Sequence, residues 1–180
     1  MRIVDGLICL AMSAFAASPC LAAAPTLCHA DEMVVFSCPT TARIVSICAS
    51  KNISKDGGYM QYRFGRKDRL ELAYPDLGSR PAEVFTSGTM MFSGGGGAWL
   101  RFSKQPFSYT IFSAIGKWGR SGSVAAIAGV AVQKDGKVFA NYPCSVAAVG
   151  ELGPDLFDKL GLKADDPAKQ FDIPKAFFPK

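Results

Sequence analysis

The chain has very little of the chemistry that most enzymes use. Its 180 residues contain one histidine, His29, whereas general-base catalysis most often depends on histidine. No P-loop, no G-x-G-x-x-G between a strand and a helix and no C-x-x-C occurs in the sequence. His29, Asp31 and Glu32 lie close together, but their order lacks a recognised metal-ligand spacing. We therefore predict a protein that binds rather than catalyses, without a metal or another cofactor.

Carboxylates are also scarce in the body of the chain. Residues 33–144 contain 6 carboxylates against 14 lysines and arginines, whereas residues 145–180 contain 6 against 5. A basic body favours an anionic partner, such as an anionic glycan, lipopolysaccharide or an acidic cleft on another protein, although scattered solvated lysines are the simpler explanation. A nucleic-acid partner is not predicted.

Two of these carboxylates, Glu71 and Glu83, supply an enzymatic alternative. A glycosidase uses a pair of carboxyl groups as acid and base, which would make the chain an envelope enzyme acting on glycans or lipids. Nothing else in the sequence distinguishes the two residues. Glu71 opposite Arg63 or Lys67 is more simply a cross-strand charge pair.

Long apolar segments are absent beyond the first residues. Residues 6–17 form an apolar run of signal-peptide length, and small residues suited to cleavage follow it at positions 20–24. We predict a cleaved signal peptide over residues 1–23, no transmembrane segment and a periplasmic or secreted location. Lipidation of Cys20 fits less well, because residues 17–19 do not match the cleavage site that it needs.

Four cysteines follow the predicted leader: Cys28, Cys38, Cys48 and Cys144. An even number in an oxidising compartment implies two disulfides, and four cysteines allow three connectivities. Each bridge is expected to stabilise the fold by about 2–4 kcal/mol. A link between Cys38, near the first strand, and Cys144, after the last, is one way to close the sheet.

Short segments that alternate apolar and polar residues recur through the chain. Residues 59–64 place Met60, Tyr62 and Phe64 on one face and Gln61 and Arg63 on the other, which is the period of a half-buried strand. Further on, Asp-Gly at 135–136 separates two apolar runs and is a strong hairpin signal. We predict an all-β domain over residues 24–144, an antiparallel up-and-down barrel or sandwich of about 8–10 short strands.

The alternating strand pattern ends after Cys144. Residues 154–160 are predicted to form one short C-terminal helix, because Pro154 suits its first position and Gly161 its end. This helix and a loop-like tail make up a C-terminal extension over residues 145–180. Three phenylalanines are suited to pin the tail to the body: Phe171, Phe177 and Phe178.

Two loops carry the strongest indications of function. Four glycines at 94–97 stand just before a strand, which is costly in chain entropy and is typical of a flexible hairpin loop or of a protruding recognition loop. A second loop at 116–120 combines a tryptophan with two cations, and solvated loops rarely contain tryptophan without a reason. The predicted binding residues are Ser93, Gly94, Trp99, Lys117, Trp118 and Arg120.

Four elements also follow one another in a characteristic order. Phe36, Ser37 and Cys38 form an aromatic-x-Cys element on the first strand, and Cys144 ends the last. Between them come a Ser-Gly-x-x-Tyr-like loop, approximated from Ser93 to Trp99, and a lysine loop, loosely matched at 113–117. Over residues 34–144 this order resembles the periplasmic and membrane-bound inhibitors of c-type lysozyme.

The resemblance implies an eight-stranded antiparallel barrel with a Cys38–Cys144 bridge, which leaves Cys28 to pair with Cys48. It also implies that Ser93 and Lys117 enter the partner's cleft and meet its catalytic carboxylates, where a lysine cation suits acidic groups.

The predicted function is that of an exported binding protein, most concretely a periplasmic inhibitor of a peptidoglycan-cleaving, lysozyme-like enzyme. An immunity protein against a periplasmic toxin is the runner-up. The glycan- or lipid-directed envelope enzyme and a structural envelope protein are further alternatives.

Overall fold

The fold consists of two β-sheets that pack face to face. The computed structural model describes residues 24–165 and 170–179. The predicted signal peptide, residues 1–23, lies outside the described residues. Within the described part, the chain forms ten strands and two short α-helices.

The first sheet contains four antiparallel strands in the order β1–β2–β3–β4. Their bounds are β1 Glu32–Pro39, β2 Ile44–Ser50, β3 Met60–Arg66 and β4 Arg69–Tyr74. Bulges interrupt the register at Val35 in β1 and at Glu71 in β4, the residues left without a partner across the ladder. Each bulge bends its strand and increases the local twist.

The second sheet contains six strands in the order β10–β5–β6–β7–β8–β9. Their bounds are β5 Thr86–Phe92, β6 Gly95–Lys104, β7 Phe107–Gly116, β8 Ala125–Lys134, β9 Lys137–Pro143 and β10 Lys163–Ala164. Neighbours are antiparallel except β10, which runs parallel to β5. The predicted Asp-Gly hairpin is confirmed as the two-residue turn between β8 and β9.

These sheets confirm the prediction of an all-β fold with 8–10 short strands and a late helix, and they take the sandwich form. The single eight-stranded barrel that the resemblance implied differs from the observed arrangement. The ladder is interrupted between β4 and β5, where the chain passes through α1, Pro81–Val84, instead of a tight hairpin.

The main core lies between the inner faces of the two sheets. The first sheet contributes Val45, Ile47 and Tyr62, and the second contributes Leu100, Phe102, Ile111, Val130 and Val132, all of them buried. Phe102 is central, because its ring stacks on Tyr109 at a centroid distance of 4.8 Å and lies 5.1 Å from Tyr62. Burial of these side chains is the dominant stabilising contribution, at about 25 cal/mol per Å² of apolar surface.

The chain after β9 closes one side of the sandwich. Cys38 and Cys144 form a disulfide, and the Ser37 N–H donates to the Val149 carbonyl at 2.7 Å while the Val149 N–H donates back at 2.9 Å. These bonds cover the free edge of β1, which would otherwise present unpaired backbone groups.

The second disulfide joins Cys28 to Cys48, so both pairings implied by the resemblance are confirmed. Two such bridges indicate folding in an oxidising compartment outside the cytoplasm.

The segment before β1 covers the outer face of the first sheet. The Leu27 N–H donates to the Ser46 hydroxyl at 3.0 Å, and the Ser37 hydroxyl donates to the Pro25 carbonyl at 3.0 Å. Ser37 and Ser46 are fully buried and lie 2.8 Å apart, oxygen to oxygen. Small hydroxyl residues on this face therefore let the N-terminal segment approach the sheet closely.

A buried ion pair lies beneath the same segment. Both guanidinium Nη atoms of Arg63 bond to the Glu32 carboxylate at 2.6 and 2.7 Å, and the two side chains are 4% and 1% exposed. The Tyr59 hydroxyl and the His29 N–H also donate to this carboxylate, at 2.7 and 2.6 Å. Arg63 Nε donates to Gln61. The network is well satisfied, as a buried charge pair requires.

The C-terminal extension covers the outer face of the second sheet. Phe177 lies edge-on to Phe112 with centroids 4.8 Å apart, and Phe171 lies 5.2 Å from the same ring. Phe178 packs on Trp118 at 5.5 Å. All three phenylalanines thus pin the tail to the body, as predicted, and build a second apolar layer outside the sheet.

The predicted helix is confirmed as α2, Pro154–Leu160. Pro154 occupies its first turn, and Gly161 ends it in the left-handed conformation with φ of 59°. Its apolar side, formed by Leu156, Phe157 and Leu160, is buried in the main core. No helix among the described residues has the length and apolar character needed to cross a membrane.

Candidate functional site

The two loops selected from the sequence meet at one end of the second sheet, which we call the tip. The tip consists of the β5–β6 turn at Ser93 and Gly94 together with the β7–β8 connection, residues 117–124. The Lys117 N–H donates to the Ser93 carbonyl at 2.9 Å. A Cβ atom at Gly94 would lie 2.7 Å from Lys117 Cγ, so the lysine stem passes directly over this glycine. The predicted serine and lysine elements are therefore neighbours.

The glycine run is not the flexible loop that its composition indicated. Ser93 and Gly94 alone form the turn, in which Gly94 has φ of 80°. Gly95, Gly96 and Gly97 belong to β6 and pair with Phe92, Met91 and Met90. Glycine is needed here for close backbone approach, because a Cβ at Gly97 would lie 2.6 Å from the Ala114 Cβ and one at Gly95 would overlap the Ile115 carbonyl. The run makes the tip narrow and firmly paired.

We expect Gly95→Ala to destabilise the protein by about 1–3 kcal/mol, because the added methyl group meets backbone that cannot turn aside. Gly57→Ala is the matched control, since the nearest atom to its Cβ would be the Ser54 hydroxyl at 4.0 Å. Urea denaturation of both variants measures the difference. Equal unfolding free energies would contradict the packing role assigned to Gly95.

Trp99 does not project from the tip as a binding anchor. It lies on the outer face of β6 and is 3% exposed, and its indole ring packs directly against Gly88. The Arg101 guanidinium sits 4.7 Å from its ring centroid, and Phe171 of the tail lies 6.3 Å away. With the tail in this position a partner in solution cannot contact the indole, and Trp99 contributes to packing.

Trp118 is partly buried at the base of the tip. Its ring lies over Gly116, between Phe92 at 5.0 Å and Phe178 at 5.5 Å. Its indole N–H has no hydrogen-bond partner in the described part of the chain. Trp118 therefore supports the loop from below, while the ends of Lys117 and Arg120 reach solvent.

The tip carries positive charge and exposed apolar surface. Neither Lys117 nor Arg120 has a carboxylate within ion-pair distance among the described residues. Residues 84–134 contain no aspartate, glutamate or histidine. Met91 in β5 and Ile115 in β7 lie within two residues of Ser93 and Lys117 along the chain, with 87% and 47% of their surface exposed. Such a surface is suited to an acidic partner with an apolar rim.

Ser121 adds a local conformational cost in the same loop. It has φ of 55°, and Gly122 follows with φ of 75°. A non-glycine residue in the left-handed region costs about 1–2 kcal/mol and is often found where a loop must hold a particular shape.

The carboxylate pair of the enzymatic alternative is not assembled in one cavity. Glu71 forms an ion pair with Arg43, not with Arg63 or Lys67 as the cross-strand interpretation expected, because Arg63 faces the opposite side and binds Glu32. Glu83 forms an ion pair with Arg80 within α1. The two glutamates line different cavities.

One group of possible metal ligands exists among the described residues, formed by Cys28, Cys48 and Glu32. The two sulfurs are joined in a disulfide and the carboxylate is bonded to Arg63. None of the three is a free metal ligand, because a cysteine binds metal as a thiolate.

Sequence reasoning missed the exposed apolar residues of the tip. Met91 and Ile115 look like core residues, because each belongs to a strand with alternating pattern. The sequence feature that could have drawn attention to this region is the absence of acidic residues over residues 84–134, a segment that includes both strands. No protein-family model, curated protein or solved structure matches the chain, so the geometry of the tip carries the functional argument.

Proposed function

We propose that the protein is an exported, periplasmic or secreted, binding protein whose tip enters the acidic cleft of a peptidoglycan-cleaving, lysozyme-like hydrolase. The observation that carries the proposal is the direct contact between its two loops, in which the Lys117 N–H bonds to the Ser93 carbonyl at 2.9 Å. A narrow β-hairpin and a cation are thereby held together at one exposed end.

The chemistry of the partner explains why such a tip would inhibit it. Retaining and inverting glycosidases hold two carboxyl groups across the scissile bond. A lysine ammonium group placed between them gains charge-assisted hydrogen bonds and occupies the position of the substrate. Ser93 is exposed beside it and offers a hydroxyl group to the same cleft.

The rigidity of the tip favours tight binding. Ser93 and Gly94 form a two-residue turn, and the glycines that follow are paired in β6. A preformed element loses little conformational entropy when it binds. The exposed side chains of Met91 and Ile115 provide apolar contact around the entering cation.

Inhibition of c-type lysozyme by the purified protein tests this proposal. We expect lysis of a bacterial cell-wall suspension to be inhibited at micromolar protein. Lys117→Ala should weaken inhibition at least about thirtyfold, because loss of one partner of a buried charge pair costs about 2–5 kcal/mol.

Lys67→Ala is the matched control. Lys67 is also an exposed lysine in a hairpin turn, but it lies on the first sheet, and its loss should leave inhibition unchanged. Circular dichroism and thermal unfolding establish that both variants fold. Absence of inhibition by the unaltered protein at micromolar concentration would refute lysozyme-like enzymes as the target.

A further inference from the structure

At the end of the second sheet opposite the tip, a cavity of about 250 Å³ opens between the two sheets. Its lining residues lie near the β6–β7 and β8–β9 turns. The tip is built from the β5–β6 and β7–β8 connections, which are at the other end of the same strands. Six aromatic residues form most of its wall: Tyr62, Phe64, Phe107, Tyr109, Phe139 and Tyr142. This concentration of rings makes the wall predominantly apolar.

The aromatic side chains extend from the core to the mouth of the cavity. Tyr62 is buried at 1% exposure, whereas Phe139 is 60% exposed and contacts Phe107 edge-on at a centroid distance of 5.0 Å. An aromatic side chain left exposed at a cavity mouth is typical of a surface that receives an apolar ligand.

A second cavity of about 290 Å³ adjoins the first and shares Phe64, Glu71 and Tyr142 with it. Each is close to the lower limit of small-molecule sites, about 300 Å³. Two small spaces that meet around the rings of Phe64 and Tyr142 suit a flexible chain better than one rigid ring system.

One exposed cation beside the cavity favours an anionic head group, because the acidic residue in the cavity wall is already paired. That residue is Glu71, whose carboxylate forms an ion pair with Arg43. The Lys134 ammonium group lies 5.9 Å from the centroid of the Phe107 ring and has no carboxylate within 4.0 Å in the described ranges. Burial raises the pKa of the Tyr62 and Tyr109 phenols, which therefore stay neutral and add no negative charge.

We propose that this cavity binds a medium-chain fatty carboxylate, with its alkyl chain among the aromatic rings and its carboxylate group at Lys134. The alkyl chain gains burial free energy in proportion to its length. The carboxylate remains at the mouth, where Lys134 attracts it and water still solvates it.

Isothermal titration calorimetry with decanoate tests the site directly. We expect saturable binding at one site per chain. Octanoate should bind about tenfold more weakly, because it buries two fewer methylene groups. Decan-1-ol should bind less tightly than decanoate. Non-saturable binding, or equal affinity for octanoate and decanoate, would overturn the proposal.

Variants separate the alkyl site from the head-group site. Leu72→Trp fills the cavity from β4 and should abolish binding. Phe139→Ser removes a ring that is 60% exposed and should weaken binding, and circular dichroism establishes that both variants fold. Lys134→Gln should weaken decanoate about threefold to fivefold and leave decan-1-ol unchanged, whereas Lys137→Gln, an exposed lysine after the same turn, should change neither.

Unchanged binding in folded Leu72→Trp or in Phe139→Ser would refute the cavity as the site, and unchanged decanoate affinity in Lys134→Gln would refute the head-group assignment. Lys117→Ala should bind decanoate like the unaltered protein. The amphiphile site and the inhibitor function can therefore fail independently.

Discussion

Replacement of Cys38 and Cys144 by alanine is expected to lower the free energy of unfolding by about 5 kcal/mol. The bridge joins residues 106 positions apart, and loss of chain entropy in the unfolded state grows with the length of the closed loop. It also holds the chain after β9 against the edge of β1, where Ser37 and Val149 exchange two backbone hydrogen bonds.

The Cys28→Ala/Cys48→Ala variant is the matched control. Its bridge spans 20 positions, so its loss should cost only about 3 kcal/mol. Urea denaturation of the two variants and of the unaltered protein gives the three free energies and their denaturant slopes. The slope should rise most without the longer bridge, because the unfolded chain then exposes more surface. A larger loss in the Cys28→Ala/Cys48→Ala variant would contradict this interpretation.

Arg63→Met is expected to lower the free energy of unfolding by about 3–5 kcal/mol, because it leaves the carboxylate of Glu32 buried without its cation. The Glu32→Leu/Arg63→Met double variant should recover most of this loss, since a buried ion pair gives little net stabilisation over apolar residues of similar volume. The double-mutant cycle is measured by chemical denaturation. A double variant less stable than Arg63→Met would contradict the prediction.

The same carboxylate should govern stability in acid. Burial by itself would raise the pKa of Glu32, but the hydrogen bonds from Arg63, Tyr59 and the His29 N–H outweigh it and hold this pKa below its usual 4.5. A lowered folded-state pKa gives stabilisation that is fully present above the unfolded value and is lost as the pH falls through the folded value. Stability of the unaltered protein should therefore fall below about pH 4.5, and the double variant should lose less over that range.

The sequence was most informative where one local pattern decides the structure. The alternation of Met60, Tyr62 and Phe64 predicted both the strand and its buried face, and Pro154 with Gly161 predicted the bounds of α2. Asp-Gly predicted the β8–β9 turn. In each case the signal lies within a few residues, so no knowledge of distant contacts was needed.

The environment of the candidate site depended on distant contacts and could not be predicted in the same way. Composition alone gives a run of four glycines the character of a flexible loop, whereas Gly95 and Gly97 are fixed by close approach to β7. Trp99 has the position of an outward-facing anchor, but the tail from Phe171 onward covers it. Pairing of Glu32 with Arg63 depends on an N-terminal segment folding over the first sheet, which no local pattern specifies.

The acid-free segment that forms the tip also fixes how complex formation should respond to pH. Residues 84–134 contain no carboxylate or histidine, so this part of the chain has no group that changes its charge in the acidic range. Between about pH 4.5, below which Glu32 begins to cost the fold its stability, and neutrality, any pH dependence of binding at the tip would then arise from the titratable groups of the proposed partner. Binding measured across that range would report those groups before the structure of the partner is known.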